Sequence, residues 1–256
     1  MKIGEEKKVL KLKKALYGLK QAPRAWNTRI DTYFKENGYK QCPHEHALYT
    51  KKSGCNVIHV ALYADDLIFS GNNDEMIEEF KSTMTREFEM TDLGLLKFFL
   101  GLEVKQGETG IFISQEKYAK EILKKYKMEN CNPISTLMEL GAKLSKYDEG
   151  KRVDVWYRSL VGILHYLTCT RPDLSLSVGI ISQFMEEPIY SHWKALKRVL
   201  RYIQGTVSLG LFYSEDYKLV GYSNSDWCGD INDRKSTSVM YSSWATQHLL
   251  GFQRNN

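Results

Sequence analysis

An α+β fold is what the sequence predicts, and three observations carry it. Two apolar, β-branched runs, Val57-Ile58-His59-Val60-Ala61-Leu62 and Leu67-Ile68-Phe69, flank the adjacent carboxylates Asp65 and Asp66 and read as a strand hairpin with its acids at the tip. Met76, Ile77, Phe80, Met84 and Phe88 recur at helical spacing, a stripe that suits a core-facing helix. A second helical stripe, Trp193, Leu196, Leu200 and Ile203, runs beside a basic ridge of Lys194, Lys197, Arg198 and Arg201. For that ridge solvation is the default and contact with a nucleic-acid duplex the sharper reading.

Taken in order, residues 1–14 are mostly charged, with Val9, Leu10 and Leu12 giving a short strand at best. Leu19 to Pro23 reads as a loop feeding a helix, because Pro suits a first helical position and Ala25, Trp26, Ile30 and Tyr33-Phe34 follow at helical spacing. Lys20, Gln21 and Arg24 beside that helix start offer positive charge and free backbone N–H groups to a phosphate or a base. Asn37-Gly38 breaks the helix, Ala47 to Thr50 gives a strand, and Lys51 to Gly54 turns into the acidic hairpin. Gly71 to Asp74 then caps the Met76–Phe88 helix. Leu95 to Val104 and Ile111 to Ser114 read as strands around a Gln106-to-Gly110 turn. Ser114 caps a helix with Tyr118, Ile122, Leu123 and Tyr126 inward and four lysines outward. The stretch 131–154 carries Pro133, Gly141 and Gly150 with little periodicity and reads as a linker. Helices follow around Val155–Thr168, Pro172–Met185 and Ser191–Gln204, and Leu209–Tyr213 with Lys218–Tyr222 reads as an antiparallel pair.

The chain of 256 residues is 43% hydrophobic, enough for one or two domains with real cores. Its net charge of +5 is modest, but residues 1–35 hold ten Lys/Arg against three Asp/Glu. Such clustering suits a polyanion, or simply a solvated basic face. Five scattered cysteines with no Cys-x-x-Cys pair argue against a disulfide framework and for a reducing, intracellular setting, cytoplasmic or nuclear. Cys42, His44, His46, Cys55 and His59 follow none of the usual zinc-ligand spacings. No apolar run reaches the length of a membrane span, so no membrane partner is expected.

Asp is a favoured turn residue, so an Asp pair between two strands is by itself most simply a turn. Its context is more specific. Tyr63-Ala64-Asp65-Asp66 resembles the Tyr-x-Asp-Asp box of reverse transcriptases, and Leu12-Lys13-Lys14-Ala15-Leu16-Tyr17-Gly18-Leu19-Lys20-Gln21-Ala22-Pro23-Arg24-Ala25-Trp26 resembles the copia-type retrotransposon branch. The likeness continues through Asp92-Leu93-Gly94, Phe99 to Val104, Thr170-Arg171-Pro172-Asp173 and Asp233 to Ser238.

The resemblance implies a partial right-hand polymerase: an antiparallel palm sheet with helices and thumb-like helices in 1–130, the linker 131–154, a helical connection in 155–205, and the first strands of an RNase H-like domain in 206–256. It implies Asp65 and Asp66 as catalytic ligands of Mg2+ or Mn2+, two ions in the intact enzyme, which lower the pKa of a primer 3′-hydroxyl and hold the leaving pyrophosphate. Tyr63 would lie near the primer terminus, Gln21 and Arg24 near nucleotide or template, and the strands after the acidic box would grip the primer end. The implied partners are an RNA template, a DNA primer or an RNA–DNA hybrid, and deoxynucleoside triphosphates. The family supplies a third carboxylate from a strand before the Leu12 motif. The expectation is therefore a truncated, inactive fragment, to which a second chain could supply the missing palm strand. The alternative is a non-catalytic nucleic-acid-binding remnant.

Gly221-Tyr222-Ser223-Asn224-Ser225-Asp226-Trp227 resembles the opening of the family's RNase H domain, with Asn224 where a carboxylate is expected and Asp226 close by. An amide brings no charge to a metal site, so hybrid cleavage is not expected. Codons can be chosen for Val239 to Asn256 that spell the family's usual continuation one nucleotide out of frame. Residues 239–256 are accordingly expected to be an out-of-frame tail without an evolved structural role.

Overall fold

The computed structural model describes residues 16, 18–139, 144–147, 150–153 and 156–214, with the backbone of 220–225 and 238–243. The fold is α+β, and the chain divides into two compact units, Met1–Leu95 and Leu96–Asn256.

In the first unit, α1 (Ala22–Glu36) and α2 (Asp74–Phe88) cover one face of an antiparallel sheet ordered β1 (Lys40–Gln41), β2 (Leu48–Ser53), β3 (Asn56–Tyr63) and β4 (Asp66–Gly71). The core is the meeting of two periodicities. Ile30 and Phe34 from α1 and Phe80 and Met84 from α2 pack on Tyr49, Ile58, Val60 and Leu62, every second residue of the strands. Asn73 starts α2 by accepting a hydrogen bond from the Met76 N–H, as the Asn-Asn-Asp string predicts. Tyr49, 1% exposed, donates its hydroxyl to Asp31 at 2.8 Å. Burial first, and the Asp31 carboxylate second, push its pKa up to about 12.

The second unit has its own core. Helices α3 (Glu116–Lys125), α4 (Trp156–Leu167), α5 (Ser175–Ser182) and α6 (Tyr190–Gly205) bury Ile122, Leu164, Ile181 and Leu200 among others. A sheet in the order β5 (Phe98–Phe99), β6 (Leu102–Gly107), β7 (Gly110–Ser114) and β8 (Gly210–Ser214) belongs to the same unit.

Three expectations change here. The single strand from Leu95 to Val104 is two strands, β5 and β6, because Leu100 and Gly101 both take left-handed backbone (φ 50° and 80°) and fold the chain back on itself. The cap of α3 is Gln115, not Ser114, which ends β7; the helix start is satisfied instead by Glu103 of β6, whose carboxylate accepts from the Lys117 N–H at 2.6 Å. Among the described residues Leu209–Tyr213 does not pair with the following strand. It forms β8 along β7, while β9 (Val220–Ser225) pairs with β10 (Ser238–Ser243). Glycine permits the first of these pairings, since a Cβ on Gly110 would overlap the Tyr213 carbonyl and one on Gly210 the Ile113 carbonyl.

The Thr-Arg-Pro-Asp string is a structural knot between α4 and α5. Arg171, 2% exposed, makes two hydrogen bonds to Asp173 (2.9 and 2.7 Å) and two to the carbonyl and hydroxyl of Thr206 (2.8 Å each). The stretch 131–139, read as the start of a linker, lies along α6. There Arg201 donates to the Asn132 carbonyl (2.8 Å), Arg198 to the Thr136 hydroxyl (2.7 Å), and Lys197 sits 5.3 Å over the Trp193 ring. Much of the basic ridge is therefore engaged by its own chain, which weakens the duplex-contact reading of α6.

Candidate active site

The acidic hairpin closes on a two-residue turn. Tyr63 pairs with Asp66, Leu62 with Leu67 and Val60 with Phe69, leaving Ala64 and Asp65 at the tip. Because side chains alternate along a strand, Leu62 and Leu67 point into the helix-covered core, while the Tyr63–Asp66 pair stands on the opposite face. Both carboxylates are exposed, and Tyr63 is 55% exposed. A buried sheet thus presents two adjacent acids on its rim.

The turn is held from α1. Ala64 sits at φ 50°, a conformation that opposes its Cβ, and its carbonyl accepts a 2.6 Å hydrogen bond from the indole N–H of Trp26. Trp26 meets the Phe88 ring edge-on at 5.5 Å, Tyr33 meets the same ring at 5.2 Å, and the Arg29 guanidinium lies 5.1 Å from its centre. Arg29 also donates to the Glu87 carbonyl at 2.9 Å, which ties α1 to the end of α2. Sequence periodicity marks Trp26 only as a core residue; nothing in a single sequence signals where its N–H points.

Gln21 and Arg24 are placed at the start of α1, where Gln21 is the N-cap residue. They line an exposed groove of about 700 Å³ along that helix with Thr28, Arg29, Tyr33 and Phe88. The turn is not part of this groove. Trp26, about 7.5 Å further along the helix axis than Gln21 at 1.5 Å per residue, makes the tie to the turn.

Oxygen donors suit a hard divalent cation, and magnesium is commonly held by one or two carboxylates with substrate phosphates completing its shell. Asp65 and Asp66 fit that donor set. Among the described residues neither is engaged in an ion pair, and no cluster of three or more His, Cys, Asp or Glu forms a metal site. Two carboxylates, rather than three, are what these residues assemble. Asn224 lies in β9 with its backbone opposite Val239. Asp226, the Leu12-to-Ala15 part of the upstream motif and Asp233 to Thr237 lie outside the described residues, and residues 239–243, expected to belong to the out-of-frame tail, form most of β10.

Residues 1–140 match the family described as "Reverse transcriptase (RNA-dependent DNA polymerase)". The chain is 36% identical over 258 residues to the retrovirus-related Pol polyprotein from transposon RE1 of Arabidopsis thaliana, covering 97% of this chain and 18% of that protein. It is 38% identical over 247 residues to the corresponding polyprotein from transposon TNT 1-94 of Nicotiana tabacum, covering 92% and 19%. An uncharacterised mitochondrial protein of A. thaliana is 37% identical over 187 residues, covering 71% of this chain and 76% of that one. The chain thus spans under a fifth of the length of the two polyproteins. No solved structure matches it. Among the described residues no helix is long and apolar enough to cross a membrane.

Proposed function

The chain belongs to the reverse transcriptase (RNA-dependent DNA polymerase) family and is related to the Pol polyproteins of copia-type retrotransposons; on that premise we propose that it is the RNA-directed DNA polymerase portion of such a polyprotein, with the Tyr63–Asp66 hairpin as its site of nucleotidyl transfer. The observation that carries this reading is the presentation of Asp65 and Asp66 side by side on the rim of a buried sheet. Asp65 and Asp66 would hold magnesium or manganese, which when bound would supply the charge that activates a primer hydroxyl and stabilises departing pyrophosphate. Tyr63, across the ladder from Asp66, lies beside the primer terminus, and Gln21 and Arg24 meet nucleotide or template at the α1 start. The β6–β7 hairpin takes the primer-gripping role. The first unit with α3 is the palm and thumb side of a right-hand polymerase, and β9 is an RNase H-like strand in which Asn224 leaves hybrid cleavage without a first carboxylate.

A second reading starts from the two carboxylates that the described residues bring together: a nucleic-acid-binding remnant that engages hybrid without extending it. Primer extension separates the two. Purified chain is given an RNA template, a DNA primer, deoxynucleoside triphosphates and Mg2+ or Mn2+, with an Asp65→Asn/Asp66→Asn control. Extension by wild type alone establishes the polymerase; hybrid binding without extension by either transfers the assignment to the binding remnant.

A further inference from the structure

We propose that Trp26 is a positioning residue for the acidic hairpin: its indole N–H fixes the Ala64 carbonyl and thereby sets the orientation of Asp65 relative to Asp66. This rests on the reading of those two carboxylates as metal ligands. Ala64 holds a left-handed conformation that opposes a Cβ, and such a residue persists only where its surroundings over-determine it. The β3–β4 ladder fixes the turn from one side, through the Tyr63–Asp66 pair. The 2.6 Å bond from Trp26 fixes it from the other.

The donor is itself rigid. Trp26 stands four residues before Ile30, which is fully buried, and its ring is set edge-on against Phe88 at 5.5 Å. The indole is thus carried on a helix anchored in the core and aimed at the carbonyl of the peptide that joins Ala64 to Asp65. A metal site tolerates only about half an ångström of error in its ligands, so a turn free to relax around Ala64 would scatter the Asp65 oxygens. The strained residue and the clamp together make the acid pair a preformed site rather than a loose turn.

The test uses the full chain and two variants. Trp26→Phe removes the N–H and keeps an aromatic ring for Phe88, and replacement of Trp26 by its benzothiophene isostere removes the N–H while keeping the whole ring shape. Amide hydrogen exchange at Ala64 and Asp65, followed by NMR, reads the turn directly, and Mn2+ titration followed by electron paramagnetic resonance reads the acids. In both variants exchange at the turn speeds at least tenfold and Mn2+ affinity falls about tenfold, with circular dichroism unchanged. Unchanged exchange in the isostere variant overturns the clamp. If wild type and Asp65→Asn/Asp66→Asn take up Mn2+ equally, the metal reading of the acids fails, and faster turn exchange in the isostere variant then still supports the clamp as a fixture of the hairpin. Faster exchange with unaltered Mn2+ affinity, where the acids do bind the ion, overturns the positioning role.

Discussion

Asp31 shows how much a single side chain ties together. Lys35 four residues on bonds one of its oxygens at 2.7 Å and the buried Tyr49 hydroxyl the other, and the Lys35 bond leads the causes that hold its pKa below the usual carboxylate value. A carboxylate with a lowered folded pKa adds stability above its unfolded pKa and loses it as the pH falls through the folded value. Asp31→Asn therefore lowers stability by about 1 kcal/mol at neutral pH, and the gap to wild type closes as urea titrations are carried below about pH 3.8. Arg24 is set at the start of α1 on an exposed groove. If Arg24 meets nucleic acid as proposed, Arg24→Ala is expected to weaken hybrid binding and to reduce the slope of log affinity against log salt by about 1, measured by fluorescence anisotropy. At this scale the sequence announces chemistry better than contacts. Two adjacent acids between apolar runs are visible in one dimension, whereas the Trp26 bond to Ala64 depends on how α1 crosses a hairpin 38 residues away.

At the scale of elements, helices with a clear apolar stripe were legible to within a few residues, because burying one face needs only local spacing. Pairings were not. β8 joins β7 across roughly a hundred residues, and its neighbouring run, which looks like a hairpin partner, pairs with β10 instead. Local alternation says that a strand exists but not which ladder it completes. The break between β5 and β6 follows from Leu100 as much as Gly101, and a leucine at φ 50° carries no sequence signal. Arg171 likewise reads as a motif residue but works as an internal strut, with Tyr202 donating to the same Asp173 at 3.0 Å. Burial, and then Asp173, raise the Tyr202 pKa. Arg171→Ala strands Asp173 and Thr206, and is expected to lower stability by about 3–5 kcal/mol in denaturant titrations. A loss under about 1 kcal/mol would mean that the buried pair is not holding α4, α5 and the end of α6 together.

For the molecule as a whole, two separate cores stand behind two compact units, and the acidic hairpin belongs to the first. Phe34 is fully buried there among Tyr39, Tyr49 and Phe80. Phe34→Ala is expected to cost about 3–5 kcal/mol and to release protection of the hairpin amides in hydrogen exchange, while Leu164→Ala in the second core acts on the helices around it. The division itself was hard to read in the chain, since residues 96–130 carry the same alternation of strand and helix as the residues before them. Localised cleavage shows whether the hairpin is where metal and nucleic acid meet. Fe2+ replaces magnesium in a complex of the chain with primer, template and deoxynucleoside triphosphate, ascorbate and peroxide are added, and the backbone cuts are mapped by mass spectrometry. Metal held at the hairpin is expected to give cuts between Leu62 and Leu67 that vanish in Asp65→Asn/Asp66→Asn; cuts confined to other segments, or undiminished in that variant, would rule out a metal site there.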